Sequence, residues 1–154
     1  MPDRHTIEDF LSQKHIAFVG VSRDDKQFAN AVYRRLRDGG RVLYPVNPAA
    51  AHAPLEGDRS YTSLAEVPDP VDGVVVMVPA AAAAGAVQQA ADRGIPRVWL
   101  HRGVGPGSVT PGAVDLCREY GIAMVDGACP LMFEQPVGGI HRLHRLLVGR
   151  RIAA

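Results

Sequence analysis

A doubly wound α/β domain, with a five-stranded parallel sheet and helices on both faces, is the fold this sequence predicts. Three observations carry it. Apolar runs of strand length alternate with helical patterns from one end of the chain to the other. One of those runs, GVVVMV from Gly73 to Val78, is β-branched and unalternating, the pattern of a strand buried on both faces. Helical segments separate five successive strands, and such crossovers are right-handed and make neighbouring strands parallel.

Taken in order, Thr6 and Asp9 resemble a capping box, and Ile7, Phe10 and Leu11 supply an apolar stripe, so a short helix runs to about Lys14. His15 to Val19 reads as strand one. Phe28, Ala31, Val32 and Leu36 recur at helical spacing, and that helix stops at Gly39 and Gly40. Arg41 to Val46 reads as strand two, closed by Asn47-Pro48. Ser63 to Glu66 caps a short helical turn, and strand three is Gly73 to Val78. Pro79 and five alanines open a helix that ends at Gly94, since alanine loses no side-chain entropy in a helix. Arg97 to Leu100 is strand four. Thr110-Pro111 is an N-cap followed by an N1 proline, with Ala113, Leu116, Cys117 and Tyr120 as the stripe of the next helix. Ile122 to Val125 is strand five. In the tail, Ile140, Leu143 and Leu147 share one helical face, which offers a surface for a homodimer.

The 154 residues fit one domain, 1–154, long enough to bury roughly 70% of its unfolded surface. Seventeen basic and sixteen acidic residues nearly cancel, so the charge makes no case for nucleic acid or an acidic membrane as partner. No apolar run reaches the length of a membrane span, and the start MPDRHTIEDF lacks the apolar core of a signal peptide. Cys117 and Cys129 are too far apart for a C-x-x-C pair. The expectation is a cytoplasmic protein with reduced thiols.

In open parallel sheets, ligands bind beyond the carboxyl ends of the strands, where strand order reverses. Residues there are Gly20 and Ser22 after strand one, Asn47 after strand two, Pro79 after strand three, His101 and Gly103 after strand four, and Cys129 after strand five. Strands one and four are expected to flank the crevice, with Ser22 and His101 facing it from opposite sides. The loop after strand one leads into a helix N-terminus, whose free N–H groups favour an anion. Gly20 allows a tight turn, Ser22 carries a hydroxyl suited to a phosphate oxygen, and Arg23 and Lys26 add positive charge. Only one glycine of a G-x-G-x-x-G is present, and strand two ends in neutral Val46-Asn47-Pro48 where a dinucleotide site usually carries a ribose-binding acid. Those two departures argue against NAD.

Several stretches resemble the stand-alone CoA-binding proteins, which are similar to the nucleotide-binding half of succinyl-CoA synthetase α subunits. They are VGVSRDDKQFAN, PVNP at Pro45 to Pro48, LEGDRSYTSLAEVPDPVDGVVVMVP from Leu55 to Pro79, VWLHRGV at Val98 to Val104, and GACPLMF at Gly127 to Phe133. The resemblance covers roughly residues 7 to 147 and implies a Rossmann-like fold with coenzyme A, or an acyl-CoA, along the strand ends. In that picture Gly20, Ser22 and Arg23 cradle phosphate and Lys26 assists. Asn47 and Pro48 shape the nucleotide wall, and Val78 and Pro79 line the adenine side. His101 stands where many relatives carry glutamine. The missing ribose acid also removes repulsion against the 3′-phosphate of CoA.

For chemistry, His101 is a candidate general base, though no acid near it in sequence would orient it. Cys129 is a candidate nucleophile, and Cys117, on a helix's inner face, belongs to the core. His141 and His144 lie three apart without the spacing of a zinc motif, so no metal is assigned. The expected function is a non-catalytic binding or regulatory module for CoA. The alternative is an enzyme, either a small NAD(P)-dependent reductase or an acyl transferase using His101 or Cys129.

Overall fold

A computed structural model describes residues 2–134 apart from 104 and 106. The tail stripe and the His141/His144 pair lie outside the described residues. Five strands form one all-parallel sheet: β1 His15–Val19, β2 Val42–Val46, β3 Gly73–Val76, β4 Arg97–Leu100 and β5 Ala123–Asp126. Among the described residues four helices accompany them: α1 Arg4–Leu11, α2 Phe28–Asp38, α3 Ala80–Asp92 and α4 Pro111–Glu119. Three short 3₁₀ turns complete the order at Pro48–Ala50, Leu64–Glu66 and Pro130–Met132. The β2-to-β3 connection therefore crosses without an α-helix, and the strand–helix alternation is broken once.

The sheet order is β2-β1-β3-β4-β5, which corrects the expected flanking of the crevice. The chain turns outward from β1 to β2 and then returns to the other side of β1 with β3. The reversal of direction lies between β1 and β3, and β4 stands one strand further out. Ser22 and His101 do not face each other across one crevice. Strand order depends on which crossover passes over which face, and apolar periodicity carries no record of that.

Alternate residues of the strands feed two cores, one on each face. Ala17, Val46, Val74, Val76, Val98 and Leu100 pack against Ala83, Ala86, Val87 and Ala90 of α3 and Ala113 and Cys117 of α4. The small alanine side chains keep these layers close: a β-carbon on Gly112 of α4 would lie 3.7 Å from Ala84 of α3. On the other face Ile16, Phe18, Val75, Trp99 and Val125 meet Ile7 and Phe10 of α1 and Val32, Tyr33 and Leu36 of α2. Each large side chain removed from water here contributes about 1.5–3 kcal/mol. Trp99 packs edge-on to Phe10 at 5.4 Å and donates its indole N–H to the Ala128 carbonyl at 2.8 Å. At the amino end of β3, Gly73 admits the Phe10 ring; a β-carbon there would come within 2.9 Å of it.

Several local expectations shift. Asp3, not Thr6, caps α1 by accepting from the Thr6 N–H, and the helix ends at Leu11. Thr110 caps α4 as expected, but Tyr120 leaves the stripe as an exposed C-cap. Phe28 also leaves its stripe. It sits at the first turn of α2 with 51% of its surface exposed, while Asn30 and Tyr33 are buried in its place. A helix's first turn projects past the sheet it packs on, so apolar spacing overstates burial there.

Candidate functional site

Three strand ends meet at the reversal point and enclose a cavity of about 240 Å³. β1 contributes Val19, Gly20 and Ser22, β2 contributes Val46, Asn47 and Pro48, and the run beyond β3 contributes Met77, Val78 and Pro79. The β3 ladder stops at Val76 rather than Val78, which frees Met77 and Val78 to form a wall.

Gly20 is required by geometry. Its φ is +116°, and a β-carbon would sit 2.0 Å from the Met77 carbonyl oxygen and 3.3 Å from a Val78 methyl. The absent side chain lets β1 and the exit of β3 approach, and it keeps the backbone bare where a ligand would lie. After Gly20 the chain makes a polar loop before α2 begins at Phe28. Within it the Asp24 N–H donates to Ser22 Oγ at 3.0 Å, so the hydroxyl proton remains to be donated outward. Asp24 turns inward on the loop, accepting from the Lys26 N–H and the Gln27 amide. The N–H groups of Arg23 and Asp25 have no partner among the described residues.

Two helix starts lie beside the cavity. Pro79, a lining residue, is the N-cap of α3, and Asn30 in the first turn of α2 is hydrogen-bonded to the lining residue Ser22, while the Phe28 ring stands 5.8 Å from that of His101.

The other walls are held from behind. Asn47 donates from Nδ2 to the Val21 carbonyl at 2.9 Å and accepts at Oδ1 from the Ala49 N–H at 2.9 Å, tying the end of β2 to the loop after β1. Pro48 opens the 3₁₀ turn that follows. The buried Ser108, from the loop after β4, accepts from the Val78 N–H at 2.9 Å and donates to the Val78 carbonyl at 2.8 Å.

Among the described residues, no side chain that lines the cavity carries a charge, and none is a carboxylate. Arg23 and Lys26 are exposed and do not line it. His101 and Gly103 stand outside it as well. His101 is 8% exposed, burial pushes its imidazole below the ordinary histidine range, and its ring makes no hydrogen bond among the described residues. Of the ten residues named from the sequence, Gly20, Ser22, Asn47, Pro48, Val78 and Pro79 are brought together. Cys117 is fully buried in the core and Cys129 is half-buried.

Sequence reasoning missed three residues that shape the site: Ser108, Asn30 and Glu56. Asn30 accepts from the Ser22 N–H and donates to the Ser22 carbonyl, both at 2.8 Å. Its signal was available, since an asparagine in a helix's apolar stripe needs buried partners. Glu56 and Ser108 lie in loops with no periodicity to mark them. Among the described residues, no helix is long and apolar enough to cross a membrane.

Comparison with known proteins follows the same outline. A family model described as a CoA binding domain matches residues 14–135. Over 75 residues the chain is 33% identical to the alpha subunit of an ADP-forming acetate–CoA ligase II from Pyrococcus furiosus. That match takes in 47% of this chain and only 16% of the subunit. It is 26% identical over 129 residues to the uncharacterized protein YneT of Bacillus subtilis, covering 83% of this chain and 91% of that one. A solved structure of a hypothetical protein from Pyrococcus horikoshii superposes with a TM-score of 0.77 at 27% identity, over 86% of this chain and 92% of the other.

Proposed function

The chain belongs to the CoA-binding domain family, and from that premise we propose that it holds coenzyme A or an acyl-CoA at the β1–β3 crevice, as a binding or regulatory module and not as a catalyst. One observation carries the reading. The cavity joins a serine-bearing polar loop to the end of β2, and no carboxylate lines it among the described residues. A diphosphate and a 3′-phosphate both bring negative charge, and a carboxylate at the close of β2 would repel the second of them. NAD would want that acid for its ribose diol.

In this reading Gly20 leaves the backbone bare for the diphosphate, and Ser22 donates its hydroxyl proton to a phosphate oxygen. Arg23 and Lys26, exposed on the same loop, swing onto the phosphates as mobile charges. Asn47 and Pro48 form the nucleotide wall, and Val78 and Pro79 the adenine side. Pockets that enclose a whole ligand usually measure about 300–1,000 Å³, so a cavity of about 240 Å³ takes part of CoA and leaves the rest along open surface. That outer path runs toward His101 and Gly103. Among the described residues no carboxylate acts on the His101 imidazole, which supports binding over acid–base work. The whole chain, 1–154, acts as one domain, and its two thiols suit the reducing cytoplasm.

The test is ligand-induced stabilisation. At a hundred times its Kd a ligand adds about 2.7 kcal/mol, a rise of roughly 5–10 °C in Tm for a domain this size. CoA and acetyl-CoA should each give that shift, and NAD and NADP should not. A shift with NAD and none with CoA reverses the assignment.

A further inference from the structure

A single carboxylate, far from the loop in sequence, accepts hydrogen bonds from two side chains that hold that loop. Glu56 sits on the turn that joins Leu55 to Asp58, with a φ of +52°. Its Oε1 accepts from Asn30 Nδ2 at 2.9 Å and from Arg34 Nη1 at 2.7 Å. Each donor makes a second bond to the loop after β1. Asn30 holds both the N–H and the carbonyl of Ser22, and Arg34 Nη1 donates to the Asp25 carbonyl at 3.2 Å. Two ends of one loop are thus referred to one acceptor.

The anchor is itself fixed. Arg37 donates to the Glu56 main-chain carbonyl at 2.7 Å and pairs with Asp58 at 2.8 Å, and the Tyr33 hydroxyl donates to Asp58 at 2.6 Å. Asn30 is 1% exposed and the Glu56 side chain 9%, so the bond between those two is made away from competing water. Asn30 uses both amide hydrogens and its carbonyl oxygen within the network, leaving no geometry to spare.

We propose that Glu56 and Asn30 are positioning residues for diphosphate recognition, acting through the Ser22–Asp25 loop without touching the ligand. The assignment rests on the reading of the crevice as a CoA site. A polar loop held by nothing would have to be ordered at each binding event, and that ordering would raise the Kd. Held from behind, it presents the Ser22 hydroxyl and the unpartnered N–H groups of Arg23 and Asp25 in one arrangement.

The test measures Kd for CoA by calorimetry at 25 °C, with Tm read in parallel, on the full chain. Asn30→Ala and Glu56→Ala should each weaken CoA binding about tenfold or more, and the double variant should be no worse than the weaker single, because the two act in series. Glu56→Gln keeps an oxygen for Asn30 while losing the charge that Arg34 pairs with. It should lower Tm yet bind CoA within about threefold of the wild type. A purely structural role would make Kd follow Tm across all of these variants, and that outcome overturns the proposal. Where Asn30→Ala does not fold, the isosteric Asn30→Asp replaces it, with the same loss expected. Wild-type binding with unchanged Kd in the Asn30 and Glu56→Ala variants overturns the positioning role alone. A wild-type chain that binds no CoA overturns the crevice reading, and the positioning role with it.

Discussion

The α-carbon of Gly20 faces the carbonyl oxygen of Met77 so closely that a β-carbon would lie 2.0 Å from it. The exit of β1 and the exit of β3 are therefore in backbone contact, and the cavity is the space this contact leaves open toward β2.

Gly20→Ala should cost about 1–3 kcal/mol from backbone strain at a φ of +116°, before the clash is counted. Relief requires β1 and the Met77 segment to part, which also opens the cavity. Denaturant unfolding should show the loss, and CoA should no longer raise Tm.

Ser22→Glu places a carboxylate where a phosphate oxygen would be received. Ser22 is half-buried and its side chain takes part only in the local bond from Asp24, so Tm without ligand should change little. The CoA-dependent rise in Tm should vanish. Retention of that rise would mean that the phosphates lie elsewhere.

Burial lowers the pKa of His101 below the ordinary value of 6.5. The folded state disfavours the imidazolium, so the unfolded chain binds more protons as pH falls. His101 therefore contributes stability that is present above about pH 6.5 and is lost as pH drops toward the folded pKa. His101→Gln should flatten that part of the stability profile. The difference between the two profiles isolates His101 from the other histidines.

Glu56 titrates in a lower window. Burial alone would raise its pKa, but hydrogen bonds from Asn30 and Arg34 and the charges of Arg34 and Arg37 outweigh burial and hold it below the ordinary 4.5. Its contribution is complete above about pH 4.5 and disappears as pH falls through the folded pKa. Acid denaturation should begin earlier in the wild type than a titration of exposed carboxylates alone would give. Glu56→Gln should remove that early component.

The two thiols should differ in reactivity. Burial pushes Cys117 up to about 11, and its side chain is sealed between α4 and the sheet. Only Cys129, half-buried beside the last 3₁₀ turn, is within reach of a reagent. Titration with a thiol reagent at about pH 8 should find one fast group in the native protein and two after denaturation. Two fast native groups would mean that the α4 side of the core opens.

The sequence was most legible where one local force dominated. The first four residues of the GVVVMV run form a strand covered on both sides, and Thr110-Pro111 opens a helix. Asn47 and Pro79 could be placed together at the cavity because the positions just beyond the strands follow from the strands themselves. Order in the sheet was illegible, because it depends on the handedness and side of each crossover, and so β4 was placed where β3 lies. Phe28 was misjudged because apolar spacing does not reveal that a helix's first turn overhangs the sheet. Asn30 and Glu56 were missed because their roles exist only once residues 26 apart are folded together.

β3 is met closely near both of its ends. Phe10 packs on the sheet face at Gly73, and Gly20 lies beside the Met77 carbonyl just past the other end. Only the four residues Gly73–Val76 separate the two contacts. A change in the side chain at position 10, on a helix that does not line the cavity, should therefore be felt in the Met77–Val78 wall. The cavity's width is open to tuning by substitutions that never approach it.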